Sequence, residues 1–259
     1  MKSLRFIFFS TLLLGSLFWS ACGDDPLIEP PMETAPTQIA CDEFLSGTHT
    51  LVDDPQKPVD YVVSCVMDVE AAVTIEPGVV IEFESGAGWY VRPNGSVNAV
   101  GTAALPITLQ GTSASAGHWR GILFDSNSPS NRLEFVDLAH AGGGTFNANG
   151  DEAAVIIWGD ARLNIFSTSI TNSGSYGISA VYTSSNWSIK ESNISGASKA
   201  PVLFLVSYLE AFDGTNTFSG NGQDYLIMDL GTAEINTNTS WTRSSVPYLV
   251  RSTSTFFKE

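Results

Sequence analysis

The chain has 259 residues, 43% of them hydrophobic, with 12 basic and 27 acidic side chains and a formal net charge of −15. A field of that sign repels nucleic acid and anionic membrane surfaces, and disfavours a polyanionic substrate unless calcium bridges the two. From Cys41 onward about 220 residues remain, enough for one sizeable domain.

Residues 1–21 read as an export leader. Lys2 and Arg5 make a short basic start, an apolar run from Phe6 to Phe18 follows, and the small pair Ser20 and Ala21 stands directly before Cys22. The run is too short to span a bilayer as a mature helix. A cysteine after such a pair resembles the lipobox of bacterial lipoproteins, with Trp19 in place of the usual leucine; the resemblance implies cleavage before Cys22 and acylation of its thiol. The mature form then carries 10 basic residues against 27 acidic ones, a net charge of about −17. Gly23, Asp24 and Asp25 resemble the acidic export tag of lipoproteins from the Bacteroidetes group. These features imply a chain anchored to the outer membrane through its acylated N-terminus, on the periplasmic face or at the cell surface. Residues 22–40 include PLIEPPMETAP at 26–36, with four prolines and no periodicity, and read as an extended tether.

With Cys22 assigned to lipid, Cys41 and Cys65 are the remaining pair, and outside the cytoplasm a disulfide between them is expected. It closes a loop worth about 3 kcal/mol in the chain-entropy account. Residues 41–72, pinned by that bond, are expected to cap the N-terminal end of the domain.

From residue 73 to 238 short β-rich runs alternate with Gly, Asn, Ser and Asp, and no helical periodicity is sustained. The spacing selects the architecture. Leu163, Trp187 and Ala211 lie 24 residues apart, as do Ile170, Ile194 and Phe218, and Ile178, Val202 and Leu226. Shifting the first member of each set by 23 lands on Asn186, Asn193 and Pro201, and by 25 on Ser188, Ser195 and Leu203, so only the 24-residue step keeps all positions apolar. Polar columns flank the second set: Ser169, Asn193 and Thr217 before it, Thr171, Ser195 and Ser219 after it, then Asn172, Gly196 and Gly220 as a turn. A fixed period with inward apolar and outward hydroxyl columns predicts an all-β, single-stranded, right-handed parallel β-helix of about 24 residues per coil, with about six or seven coils. The step from Ile122 to Ala154 is 32, and the surplus falls in residues 141–151, a Gly- and Asn-rich loop expected to bulge from the stack.

Three segments carry a family resemblance: AVTIEPGVVIEF at 72–83, GSVNAVGTAALPITL at 95–109 and GHWRGILF at 117–124. They resemble the bacterial surface β-helix proteins with the pectate-lyase-like fold. The resemblance covers most of residues 41–235 and implies the fold; on activity it says little. TSWTRSSVPYLVR at 239–251 resembles the lead-in to a further coil in that family, so residues 239–259 read either as a C-terminal cap or as the truncated start of another coil region.

Lyases on this scaffold need acidic calcium ligands and a basic residue near the reacting carbon. Arg120, Asp125, Asp151 and Glu152 are the residues in this chain that could answer that need, and carboxylate pairs among Asp125, Asp137, Asp151, Glu152 and Asp160 could serve a glycosidase. The plainer expectation for Arg120 is an exterior ion pair with Glu152, one coil on. No Gly-x-Ser-x-Gly nucleophile context is present. Trp119 with His118 and Tyr90, near His140, could make an aromatic platform for a sugar; the competing expectation is that Trp119 packs over Gly121 at a corner. Asp53 with Asp54, and Asp151 with Glu152, are candidates for calcium although neither fits a calcium-loop pattern, and no transition-metal site is expected. The leading expectation is a monomeric, non-catalytic binding or structural module with glycan as a candidate ligand. A polysaccharide lyase or glycoside hydrolase working near the 142–152 loop is the alternative.

Overall fold

The computed structural model describes residues 35–146, 150, 152–181, 186–231, 241 and 243–251. They are nearly all β, wound into a parallel β-solenoid of about eight turns with about 24 residues per turn. Each turn visits three sheets. Sheet A has eight strands, from Thr37–Ile39 to Thr217–Ser219; sheet B has six, from Thr48–Leu51 to Asn186–Lys190; sheet C has eight, from Val66–Val69 to Tyr248–Arg251. Every pairing of named strands is parallel, so each strand is joined to its neighbour by one full turn of the chain.

The expected columns exist. Ile170 pairs in register with Ile194 and Ile194 with Phe218 in sheet A, with the flanking Ser169, Asn193 and Thr217 also aligned. Ile178 pairs with Val202 in sheet C, and Leu163 with Trp187 in sheet B. These side chains are buried in one core. Burying a large aliphatic side chain contributes about 1.5–3 kcal/mol, so stacking like on like repeats that gain at each coil. Ala211 departs from its column, because residues Val206–Ala211 turn into a 3-10 helix and the chain rejoins sheet B only through a bridge between Ile189 and Phe212.

Corners reuse one solution. The first residue after each sheet B strand has positive φ in three successive coils, at Phe135, Ser167 and Glu191; leaving sheet A, His140, Asn172, Gly196 and Gly220 do the same. Inside the corners buried amides replace missing backbone partners. Asn216 Oδ1 accepts from Ser192 N at 3.1 Å while its Nδ2 donates to Ile189 O at 2.9 Å, and Asn221 likewise joins Ala197 N to Ile194 O. Without such pairing each buried group would cost about 1–3 kcal/mol.

Two expectations about boundaries change. Residues 41–72 are wound into the solenoid and are not a separate cap: Thr48–Leu51 pairs with Ala72–Ile75, Tyr61–Val63 with Val80–Phe83, and Val66–Val69 with Gly88–Val91. The first coils therefore add to the six or seven expected. Their offsets, 24 in sheet B but 20 in sheet A and 22 in sheet C, hide them from a search at one period. The disulfide between Cys41 and Cys65 lies in this region, with a Cα separation of 6.1 Å. Phe44, fully buried, closes the core edge-on to Trp89 at 5.9 Å. At the other end, Tyr248–Arg251 adds a further strand to sheet C, held also by Arg251 Nε to Asp229 Oδ2 at 3.1 Å.

The long loop also shifts register. Ile122 pairs with Val155, 33 residues on, and not with Ala154; sheets A and B keep the 32-residue step, and the next coil restores the count with a 23-residue step from Val155 to Ile178. The loop takes one residue more than the sequence count assigned to it. Val155 thus takes the place opposite Ile122 while Ala154 stays buried in the same core, and the Ala154 carbonyl lies where a side chain on Gly121 would stand, 2.3 Å away, which explains glycine at that positive-φ position.

Candidate functional site

The three outer faces differ. On sheets A and B most outward residues are polar, such as Thr171 and Ser195, or Asn164 and Ser188, where the Ser188 hydroxyl donates to Asn164 Oδ1 at 2.8 Å. On sheet C the outward file runs through Tyr90, Leu123, Ile156, Ser179, Leu203 and Ile227 in register, and all but Tyr90 are buried. Rings from its own strands and from the segments at its edges cover it. Tyr90, Phe146, Trp158 and Tyr176 pack on Leu123, Ala153 and Ile156, and Tyr176, Val181 and Tyr225 pack on Ala200, Leu203 and Ile227. Each of these covering residues keeps part of its surface open to solvent.

At the edge where sheet C turns toward sheet B, polar groups gather around Tyr90. Its hydroxyl donates to Asp125 Oδ2 at 3.3 Å, and the Arg92 guanidinium lies 3.6 Å from the ring centroid while Nε donates to Asp68 Oδ1 at 2.7 Å. One coil on, Asp160 accepts from the Asn127 amide at 3.3 Å. Burial, and then the charge of Asp160, raise the Asp125 carboxyl above its ordinary value, although the Tyr90 hydrogen bond opposes this. Burial and the Asp125 charge likewise raise the Tyr90 phenol. At the opposite edge Lys199 Nζ lies 4.8 Å from the Tyr176 ring centroid. The arrangement offers aromatic and aliphatic surface, two neighbouring carboxylates, a guanidinium and an amide.

The expected platform divides. Trp119 is fully buried, stacked on Phe83 with centroids 4.0 Å apart, and its indole Nε1 donates to Ala139 O at 2.8 Å. It is a core residue and cannot meet a sugar. Strand alternation does not put it there, since Leu123, of the same parity, faces outward; the turn before Gly121–Phe124 carries the ring into the core. His118 is half-buried, with Nε2 2.8 Å from the Thr112 hydroxyl. His140 opens the long loop, with Nδ1 enclosed and unpartnered. Tyr90 alone of the four belongs to the aromatic face.

The expected catalytic residues also separate. Asp125 follows the Gly121–Phe124 strand, whereas Arg120 precedes it and Glu152 precedes Ala153–Ile157, so the strand length lies between them. The Arg120 guanidinium donates to the carbonyls of Gly86 and Thr145, tying the long loop to an earlier turn in place of the expected pairing with Glu152. Asp151 and Cys22 lie outside the described residues. Asp53 sits against the Gly78 turn, and among the described residues no group of three or more His, Cys, Asp or Glu is placed to hold a metal ion. No described helix is long and apolar enough to cross a membrane.

Arg92, Asp68, Phe146, Trp158 and Tyr176 were not singled out from sequence. A signal for that face was present. The sheet C strands read GILF, AAVII, VLFL and LIMD, nearly continuous apolar runs, as expected where both faces of a strand are covered. No family model matches the chain, and neither does any curated protein or solved structure.

Proposed function

We propose that the protein is an exported, monomeric lipoprotein that binds glycan without cleaving it, using the outer face of sheet C. The observation that carries this reading is the overlay of partly open aromatic rings, Tyr90, Phe146, Trp158 and Tyr176, on a buried aliphatic file, beside the polar groups of Asp125, Arg92 and Asn127. Sugars are bound by such combinations, since their C–H faces pack on rings and their hydroxyls bond to carboxylates and amides. The disulfide between Cys41 and Cys65 supports export, as such bonds persist outside the reducing cytoplasm. Acylation of Cys22 anchors the chain to the outer membrane, on the periplasmic face or at the cell surface, and the strongly acidic surface disfavours nucleic acid as a partner.

A glycan array probed with the mature protein tests the binding. Signal that falls at least tenfold in Trp158→Ala and Tyr90→Ala supports the reading, and signal unaffected by both overturns it. Labelled palmitate incorporated by the full-length chain and lost in Cys22→Ser supports the anchor.

A second reading rests on the unlike environments of Asp125 and Asp160, one raised by burial and one exposed, in neighbouring coils. Two carboxyls so differentiated could serve as acid and base in glycoside hydrolysis. Release of reducing ends from a polysaccharide panel, lost in both Asp125→Asn and Asp160→Asn, would replace the non-catalytic reading with this one.

A further inference from the structure

The outer face of sheet B holds a groove of about 300 Å³ that the glycan reading leaves unused. Strands Arg162–Phe166 and Asn186–Lys190 pair in register, Leu163 with Trp187 and Ile165 with Ile189, and these four side chains are buried in the core. Alternation therefore turns Arg162, Asn164, Asn186 and Ser188 outward together, as two cross-strand pairs, Arg162 beside Asn186 and Asn164 beside Ser188. Pro129 and Asn131, from the turn before Arg132–Glu134, complete the lining, and no acidic side chain belongs to it.

Behind one pair runs a fixed chain of hydrogen bonds. Glu134, buried on this face, accepts from Arg132 Nε at 2.8 Å and from Asn164 Nδ2 at 2.9 Å. A carboxylate held by an arginine can only accept, so Asn164 turns its NH2 toward Glu134 and its oxygen toward the next strand. There that oxygen accepts the Ser188 hydroxyl at 2.8 Å. The one proton of Ser188 is thereby committed, and what Ser188 offers the groove is an acceptor.

The other pair offers the opposite chemistry. Arg92 is held by Asp68, Arg120 by the carbonyls of Gly86 and Thr145, Arg132 by Glu134 and Arg251 by Asp229. Arg162 is exposed, and among the described residues its guanidinium has no hydrogen-bond or ion-pair partner; the exposed Asn186 amide beside it has none either. Asp160, two residues before Arg162, accepts from Asn127 instead. A guanidinium and an amide, adjacent and uncommitted, present a fork of donors suited to a carboxylate. Neighbouring strands lie roughly 4.8 Å apart and alternate residues roughly 7 Å apart, which brings these donors and the Ser188 acceptor within reach of one small molecule.

We infer that this groove binds a small hydroxycarboxylate, whose carboxylate is held by Arg162 and Asn186 and whose hydroxyl donates to Ser188. The net charge of −15 selects for a ligand with a single negative charge, since the rest of the surface repels a polyanion. The groove lies on a different sheet from the aromatic face, so it stands whether or not that face binds glycan.

Nitrogen-15 NMR of the mature protein, following the Arg162 Nε and Asn186 side-chain signals, tests the site with three probes at constant ionic strength: lactate, propionate, which lacks the hydroxyl, and lactamide, which lacks the charge. Lactate is expected to shift both signals saturably. Propionate should bind about threefold more weakly for want of one neutral hydrogen bond, and lactamide about tenfold more weakly for want of the charge. Ser188→Ala should erase the preference for lactate over propionate and keep the preference over lactamide. Arg162→Gln, read at Asn186, should erase the preference over lactamide, and Arg243→Gln, exposed and outside the groove, should leave lactate binding unchanged. The backbone amides of Ile165 and Ile189 report that each variant keeps its strand pairing. Shifts that never saturate, equal affinity for the three probes, or equal weakening by Arg162→Gln and Arg243→Gln would overturn the site.

Discussion

Trp119 and Phe83 lie face to face inside the solenoid, with ring centroids 4.0 Å apart and planes within 8° of parallel. The pair joins two coils through the core, and the Trp119 indole is further fixed by Ala139 O. An aromatic so enclosed contributes to stability and has no surface to offer a ligand.

Trp119→Ala is therefore expected to lower unfolding stability by about 3–5 kcal/mol, the usual cost of emptying a large aromatic site. Trp158→Ala, on the partly open face, should cost about 1 kcal/mol. Urea unfolding of the two variants checks the contrast, and equal losses would refute the assignment of Trp119 to the core and Trp158 to the face.

Removing the disulfide by Cys41→Ala with Cys65→Ala is expected to cost about 3 kcal/mol, for a separation of 24 residues. Since these residues belong to the first coils, hydrogen exchange should quicken most in Thr48–Leu51 and Tyr61–Val63, and little at Thr217–Ser219. Uniform quickening would mean that the bond does not act locally.

Buried corner amides make a separate prediction. Asn216→Ala leaves Ser192 N and Ile189 O without their side-chain partner, at about 1–3 kcal/mol for each group that stays dry. Asn193→Ala, on the outer face of sheet A, should lie within about 0.5 kcal/mol of the parent. Chemical unfolding distinguishes them.

The pH dependence carries two opposite signs. His140 is depressed in the folded state, so the unfolded chain binds its proton more readily. That contribution is fully present above the unfolded histidine value and is lost as pH falls through the lower folded value. Asp125 is raised, chiefly by burial, so its penalty is absent in acid and grows as pH climbs through the raised value. At neutral pH, Asp125→Asn should therefore raise the thermal midpoint, and near pH 3 the gain should vanish. His140→Asn should flatten the loss of stability below about pH 6.5.

The coils from Ile122 to Phe218 were legible because inward side chains stack at a constant interval, and residue type at Ile170, Ile194 and Phe218 records that contact directly. The first coils were not, since steps of 20 and 22 break the period even though Val63 and Phe83 still pair. Ala154 was misplaced by one because a loop's length fixes register only when its anchoring residue is known, and here Gly121 accommodates the shift. The candidate site was read only in part. Tyr90 and Asp125 could be named, but their joining to Arg92, and the lifting of Phe146 onto the sheet, depend on loops whose paths carry no periodic signature.

Hydroxyl-radical footprinting of the mature protein, with and without a glycan selected on the array, tests the working face most directly. Protection confined to Tyr90, Phe146, Trp158 and Tyr176, with no change at Phe135 or Phe166 on the opposite side of the core, is the predicted result. Protection of Phe135 and Phe166 with the sheet C rings still fully labelled would place the ligand elsewhere and contradict the account.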